Sequence, residues 1–384
     1  MPLPIVLVND GVRVAPLTDL RAAHDVRTGA FSTLERWRRM FADVRTSLDG
    51  IEDGADIVLV NGRCPLSPIG IDTMSAGDAV VEAGTGHLIV ARTTAGRAAG
   101  IMGGDLGGLG VHKTPEGSLI SKPWHVRTLR DRCVAHDLAS ILESVLPSAP
   151  PVGVVLIGDK GLRLARSATV YPSVILDTEA GPIVVDEWAT VRPGAILIGP
   201  CYVGPHSTVL ERATIRPQTA IGPWCKVNGE VGGTLFQGFS NKAHDGYLGD
   251  SWVGEWVNLG AGTTNSNLLN TYGEVIARAT PEGRNERTGE QFLGAIIGDH
   301  VKTAICTRIM TGSVLHTGGM FAAAAPVAGT TPPFAWVTDA GTRSYRLDKF
   351  LEVAKAAMAR RKVTPDDRYL GAIAALHGSS VLAG

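Results

Sequence analysis

The chain has 384 residues, 44% of them hydrophobic and 19% charged, and its 36 Lys and Arg face 37 Asp and Glu for a formal net charge of -1. That balance gives no overall electrostatic case for nucleic acid or an anionic membrane as a partner, and no stretch reaches the ~20 apolar residues that a spanning helix needs. The length exceeds one ordinary domain, so separately folded parts are expected.

In chain order, residues 4–8 (PIVLV) and 57–60 (IVLV) read as buried strands, each followed by an Asn-led turn, with a helix between them. This is a β-α-β opening. The helix starts at a capping box, Ser32 with Glu35, and carries Leu34, Trp37, Phe41, Val44 and Leu48 on one face. A second helix is predicted over roughly 135–146, stopped by Pro147, and PSAPPV (147–152) reads as a short stiff linker. Residues 1–150 are therefore expected to form an α/β domain. The five cysteines, Cys64, Cys133, Cys201, Cys225 and Cys306, form no CxxC pair and have no His partners at zinc-finger spacing, so no metal site is expected from them. With no charged segment leading into an apolar run at the N-terminus, the expected setting is the reducing cytoplasm.

Beyond the linker the pattern changes. Val185, Val191, Leu197, Val203, Val209, Ile215, Ile221 and Val227 recur every six residues, a period of neither α-helix nor alternating strand. Two positions before each of the last seven stands a small residue (Ala189, Ala195, Cys201, Ser207, Ala213, Thr219, Cys225), as tight stacked corners require. The period resumes at Ile297, Thr303, Ile309, Leu315, Phe321 and Val327, so a parallel β-helix is expected over 151–330. Breaks are expected between Val227 and Val253 and between Leu259 and Ile297, the second containing a polar loop, NSNLLNTYGEVIARATPEGRNERTGEQ, judged too polar to line a core. Residues 331–384 form a tail with a helical pattern near 344–360, placed either across the solenoid or against a neighbouring subunit.

HDGYLGDSWVGEWVNLGAGTTNSN (244–267) and FLGAIIGDHVKTAICTRIMTGSVL (292–315) closely resemble the β-helix of the bifunctional glucosamine-1-phosphate acetyltransferase and N-acetylglucosamine-1-phosphate uridyltransferase family, together with its archaeal-type sugar-1-phosphate nucleotidyltransferase relatives. The resemblance implies the fold class: an α/β N-terminal domain of reduced, Rossmann-type nucleotidyltransferase-like form, then a left-handed parallel β-helix of hexapeptide repeats, then a helical tail. Left-handedness comes from the resemblance alone, since a period of six does not fix a hand. The implied function is CoA-dependent N-acyl transfer, most simply acetyl transfer, to an amino-sugar phosphate such as glucosamine-1-phosphate, in nucleotide-sugar biosynthesis by a homotrimer.

Carried over by motif, the catalytic positions are His244, Tyr247 and Asn267. An amine attacking a thioester must lose a proton, and an imidazole with an ordinary pKa near ~6.5 can take it at neutral pH. A turn histidine in a glycine-rich loop and a tyrosine packed beside a coil are the competing readings. For the acceptor's phosphate the matching residues are Arg212 and Arg216 in ERATIRP, and Glu230 is carried over as a substrate-binding position; a solvated solenoid face would carry the same arginines. Gly232 stands where the family has a phosphate-contacting lysine, and Lys242 is the substitute within reach by sequence. Acetyl-CoA is expected along a groove between adjacent β-helices, at positions matching Ile305 and Ala323, with the small residues of FAAAAP beside it.

The N-terminal part resembles the nucleotidyltransferase domain of the same family less closely. Its first strand ends in NDGVRVAPLTDLRAAHDVRTG, which offers Asp10, Arg21 and Arg27 to a nucleotide but lacks a glycine-rich phosphate loop. Where members with uridyltransferase activity have G-D-x-P-L, whose aspartate helps to hold Mg²⁺, this chain reads VNGRCPL with Arg63 in that place. Arginine cannot ligate a metal. The alternative to acyl transfer is a sugar-1-phosphate nucleotidyltransferase that uses Mg²⁺ and keeps the β-helix as a trimerisation scaffold; a third reading is a non-catalytic trimer that retains the ligand groove.

Overall fold

The structure, a computed structural model, describes residues 3–68, 70–114, 117–144 and 146–380. The N-terminal sheet is formed by β1 (Ile5–Val8), β2 (Val44–Arg45), β3 (Asp56–Asn61), β4 (Asp78–Glu82), β5 (Leu88–Thr94) and β6 (Gly110–Thr114), in the order β2-β1-β3-β5-β4-β6. β1 is parallel to β2 and β3, as the β-α-β opening requires, while β5 runs antiparallel to β3 and β4.

Helix α1 (Thr33–Met40) has the predicted capping box: the Ser32 hydroxyl accepts from the Glu35 amide at 3.2 Å, and the Glu35 carboxylate accepts from the Ser32 amide at 2.7 Å. It stops short of the predicted face. Phe41 turns extended and stacks on Trp37 at 5.4 Å, and Val44 enters the edge strand β2. Helix α2 (His125–Glu143) is longer than the predicted 135–146 segment, of which position 145 lies outside the described residues. Its first half buries Val126, Leu129, Arg130 and Cys133, and the charged residues between them hide the apolar period. Arg36 of α1 and Asp137 of α2 are both buried and pair at 2.6 Å, tying the two helices together.

From Val155 the chain winds into a solenoid of three parallel faces with six, nine and five strands. The predicted period lies inside: Val185 through Val227 are almost fully buried in one cluster, with Ile297, Ile309, Leu315, Phe321 and Val327 continuing it. The first expected break is no exit from the coil. Val227 lies opposite Lys242, Val231 opposite Leu248, and Phe236 opposite Val253, so the inward row continues with shortened corners. A lysine at an inward position and the changed spacing concealed it. At the far end Ala335–Thr338 pairs parallel with Met320–Phe321, so the last rung runs past residue 330.

One corner of successive coils is built from bulky residues in the left-handed backbone region: Trp188, His206, Trp224, Phe239, Trp256 and His300 have φ between 54° and 60°. Such a conformation is unfavourable for these side chains, and ring stacking offsets it. The rings form a ladder with centroids 6.4, 4.2, 6.4, 4.5 and 6.4 Å apart. His300 ends the ladder against Phe350 of helix α3 (Leu347–Ala359) and meets the Tyr369 hydroxyl of helix α4 (Asp367–Ser380) at 2.7 Å through Nε2. The tail thus packs on its own solenoid, and it contains a second helix that sequence reasoning did not predict.

Burial, reinforced by Lys302 and Arg21, holds the His300 pKa well below its ordinary value, and burial likewise lowers that of His316. The unfolded chain protonates these rings near pH 6.5 and the folded one only at lower pH, so stability is present above that pH and falls as the pH drops through it. His300, which stays neutral, should cost about 0.7 kcal/mol of stability between pH 7 and pH 6. Asp299, whose pKa burial raises to about 6, works in the opposite sense, adding stability as the pH falls through that value and so offsetting part of this loss. Denaturant midpoints should therefore fall from pH 7 to pH 6, with a smaller slope in His300→Gln; a flat profile in the native protein would contradict this.

The second expected break is real, but its loop is not free. After Asn265 the chain leaves the coil, pairs Ile276–Ala277 with Glu286–Arg287, and buries Val275, Ala277 and Leu293. These pack on the outer side of the nine-stranded face, where Val184, Tyr202, Ala220, Leu235, Trp252, Ile296 and Val314 form an apolar strip. The N-terminal domain covers the same strip with Leu17, Val26, Phe31, Trp124, Leu129 and Cys133. Burying an aromatic or aliphatic side chain there contributes about 1.5–3 kcal/mol. The two parts therefore share one core cluster.

Candidate functional site

Lys242 faces into the solenoid with 1% of its surface exposed, and its ammonium donates to the carbonyls of Asn228 at 3.0 Å and His244 at 2.6 Å. Burial pulls its pKa down to about 8, with Asp245 acting against the shift. It is therefore not the exposed phosphate contact expected from sequence; it braces the backbone of the loop that presents His244. Gly246, at φ +120°, lets this loop approach the Thr263 carbonyl so closely that a Cβ would collide with it.

Lys242→Met should retain the fold, because the aliphatic volume is kept while two carbonyls lose their donor. Amide exchange of the loop that carries His244 should accelerate about tenfold as its backbone loses this support. Native-like exchange of that loop in a folded variant would remove this role.

His244 itself is exposed and stands between two clefts. One, of about 660 Å³, is lined by Arg212, Asn228, Asp245 and Cys306. The other, of about 590 Å³, combines Phe239 and Trp256 with Asn241, Asn258, Lys302 and Arg361. His244, Ala261 and Ile305 border both. Ile305 is 72% exposed, and Ala323 lies one coil later, as the pairing of Lys302 with Met320 and Thr303 with Phe321 shows.

Tyr247 and Asn267 line neither of these clefts. They belong to a second polar group, in which the Asn267 side-chain amide donates to the Tyr247 hydroxyl at 3.0 Å and to Asp250 at 2.7 Å. Burial, then Asp250 and Glu230, raise the Tyr247 pKa, so the phenol is neutral at physiological pH. Glu230 lies opposite Tyr247 in the sheet and pairs with Arg216 at 2.9 Å, both partners substantially exposed. The predicted residues thus fall into two groups: His244 with Arg212 and Ile305, and Tyr247 with Asn267, Glu230 and Arg216. Sequence reasoning missed Asp250, Asn258, Lys302 and Arg361. Asp250 and Asn258 stood inside the quoted motif; Arg361 is brought in only by the tail's return, donating to Asn241 at 2.8 Å.

The three residues offered to a nucleotide do not converge. Asp10 accepts Arg63 Nε at 3.0 Å and Asn61 Nδ2 at 2.9 Å. Burial alone would raise its pKa, but these bonds hold it below the ordinary carboxylate value. Arg63, 1% exposed, also donates to Ser121 at 2.8 Å. Arg21 reaches across to Asp299 at 2.8 Å and Glu255 at 3.3 Å on the solenoid. The Arg27 amide and guanidinium are taken by Gln237 and Glu35. A divalent cation does not fit beside Asp10, whose carboxylate Arg63 already occupies.

No protein-family model matches the sequence. Among curated proteins the chain is 33% identical over 134 residues to a bifunctional sugar-1-phosphate nucleotidylyltransferase/acetyltransferase of Sulfurisphaera tokodaii, covering 34% of this chain and 33% of the relative. It is 28% identical over 176 residues to a bifunctional protein GlmU of a Nostoc species, covering 40% of this chain and 38% of the relative. The aligned part thus spans 33% and 38% of the length of these relatives. Among solved structures, a UDP-N-acetylglucosamine acyltransferase of Francisella novicida aligns over 60% of this chain and 91% of its own, at 12% identity and a TM-score of 0.32. The curated similarity is to the bifunctional enzymes that the motifs indicated.

Proposed function

We propose that the chain is a CoA-dependent N-acyltransferase, acting on an amino-sugar phosphate such as glucosamine-1-phosphate in cytoplasmic nucleotide-sugar biosynthesis, with His244 as general base. The observation that carries the reading is the position of His244: exposed, within the H-x-x-Y-L-G-D run, on a wall shared by two clefts. In the proposed reaction the acceptor nitrogen attacks the thioester carbonyl, forming N–C as C–S breaks. The amine proton passes to His244 and from there to the departing thiolate.

Arg212, bordering the cleft with Asn228 and Asp245, supplies a cation for the acceptor's phosphate. The second cleft, with Lys226, Lys302, Arg360 and Arg361 beside exposed Ile305, has the charge that the phosphates of acetyl-CoA call for. Ala323 extends that side by one coil, and in a homotrimer a neighbour would close the groove. Tyr247 and Asn267, with Glu230 and Arg216, are assigned to orienting the acceptor. The alternative, nucleotide transfer by the N-terminal domain, gains no support from the Asp10–Arg63 pair.

The test is thiol release from acetyl-CoA across a panel of amino-sugar phosphates, beside pyrophosphate release from each nucleoside triphosphate with Mg²⁺. Acceptor-dependent thiol release is expected. Pyrophosphate release alone would overturn the reading.

A further inference from the structure

We propose that the N-terminal domain serves the transfer site mechanically: Arg127 and Arg130 of α2 are positioning residues that hold the loop of residues 268–292 and, through Asp250, hold Asn267 and Tyr247. This rests on the acyltransferase reading. Arg130 is almost wholly buried and donates through Nη1 to the Asp250 carboxylate at 2.7 Å, while Arg127 Nε lies 3.6 Å from the same group. The other Asp250 oxygen accepts from Asn267 at 2.7 Å, whose amide also reaches the Tyr247 hydroxyl. An amide nitrogen has two protons, and here each has a defined acceptor, so the orientation of Asn267 is set by where Asp250 is held.

The same helix grips the loop at a second point. Arg127 Nη1 meets Glu290 at 2.6 Å, and the Thr128 hydroxyl donates to its other oxygen at 2.6 Å. Lys122, just before the helix, reaches Glu286 at 2.7 Å. The loop's far end is closed by the Leu293 amide, which donates to the Asn267 carbonyl at 2.9 Å. Asp250 and Glu290 are 15% and 10% exposed, and both take their cationic partner from the N-terminal domain. A domain whose nucleotide-site carboxylate is blocked by Arg63 thus supplies the counter-charges of the loop and of Asn267.

The experiment compares the full chain with Arg127→Gln, Arg127→Lys and Arg130→Lys, and with Arg132→Gln, an exposed residue on the same helix, as the reference. Hydrogen exchange of residues 268–292 should accelerate about tenfold in Arg127→Gln, the expected loss for charge-assisted bonds. Rungs 183–221 should exchange as in the native chain, and Arg127→Lys should recover part of the protection. Unchanged loop exchange, or acceleration spread evenly over the solenoid, overturns the proposal. In turnover, KM for the amino sugar should rise about tenfold in Arg127→Gln and Arg130→Lys with KM for acyl-CoA within about twofold; parallel changes in both constants also overturn it. Should the native chain transfer no acyl group, the functional reading falls and the exchange measurement still decides the mechanical one.

Discussion

Replacing His244 with alanine should lower turnover by about two to four powers of ten, the range a positioned general base contributes, with the melting temperature unchanged. The second half follows from exposure: His244 stands at a loop whose backbone is held by Lys242 and by the close approach of Gly246, neither of which needs the imidazole. KM for acyl-CoA should change little, since the charges that line the second cleft remain in place. Native turnover in the alanine variant would remove His244 from the chemistry.

The second large effect concerns stability. Arg36→Met should destabilise the protein by about 3–5 kcal/mol, as expected when one partner of a buried ion pair is removed. Arg36 binds both oxygens of Asp137 at 2.6 and 2.8 Å and donates further to Thr28 and to the carbonyls of Pro65 and Phe31. Gly29 makes room for the pair, since a Cβ there would press on Asp137. Without the guanidinium, Asp137 keeps the Phe31 amide but loses the charge that opposes its burial, so its pKa should rise. The double variant Arg36→Met with Asp137→Leu should recover much of the loss. A single-variant cost below about 1 kcal/mol in chemical denaturation would show that the pair is not the tie between α1 and α2.

The solenoid was legible because its inward row repeats with one chemistry: eight aliphatic residues at equal spacing leave little else to predict. It became illegible where the chemistry changed. Lys242 occupies an inward position, and the shortened corners around Val231 and Phe236 broke the count, so a continuous wall read as a break. Asn265 is similar, an inward amide that satisfies Gly249 and Ser251 where the next rung is missing. The motif carried His244, Tyr247 and Asn267, but not which of them share a cleft, because that depends on which side of a corner each residue leaves the coil. The N-terminal arginines were misleading for a different reason. Arg21 and Arg27 have the charge that a phosphate needs, and only the docking of the domain shows that Arg21 pairs with Asp299 and Glu255 of the solenoid while Arg27 pairs with Glu35 and bonds to Gln237. The outer strip from Val184 to Val314 could have been found, since each of its residues sits one position before a residue of the inward row, yet nothing local distinguishes a covered outer face from a solvated one.

That shared strip changes what kind of folding unit this is. An isolated solenoid is quasi-one-dimensional: each coil contacts only its neighbours, and it can fray or open from either end. Here the N-terminal domain and the ejected loop share one buried cluster with strands from Val184 to Val314, so opening a rung in that stretch disturbs a core that also holds the others. The nearest-neighbour description no longer applies, and calorimetry should give one cooperative transition in place of separate domain and repeat transitions.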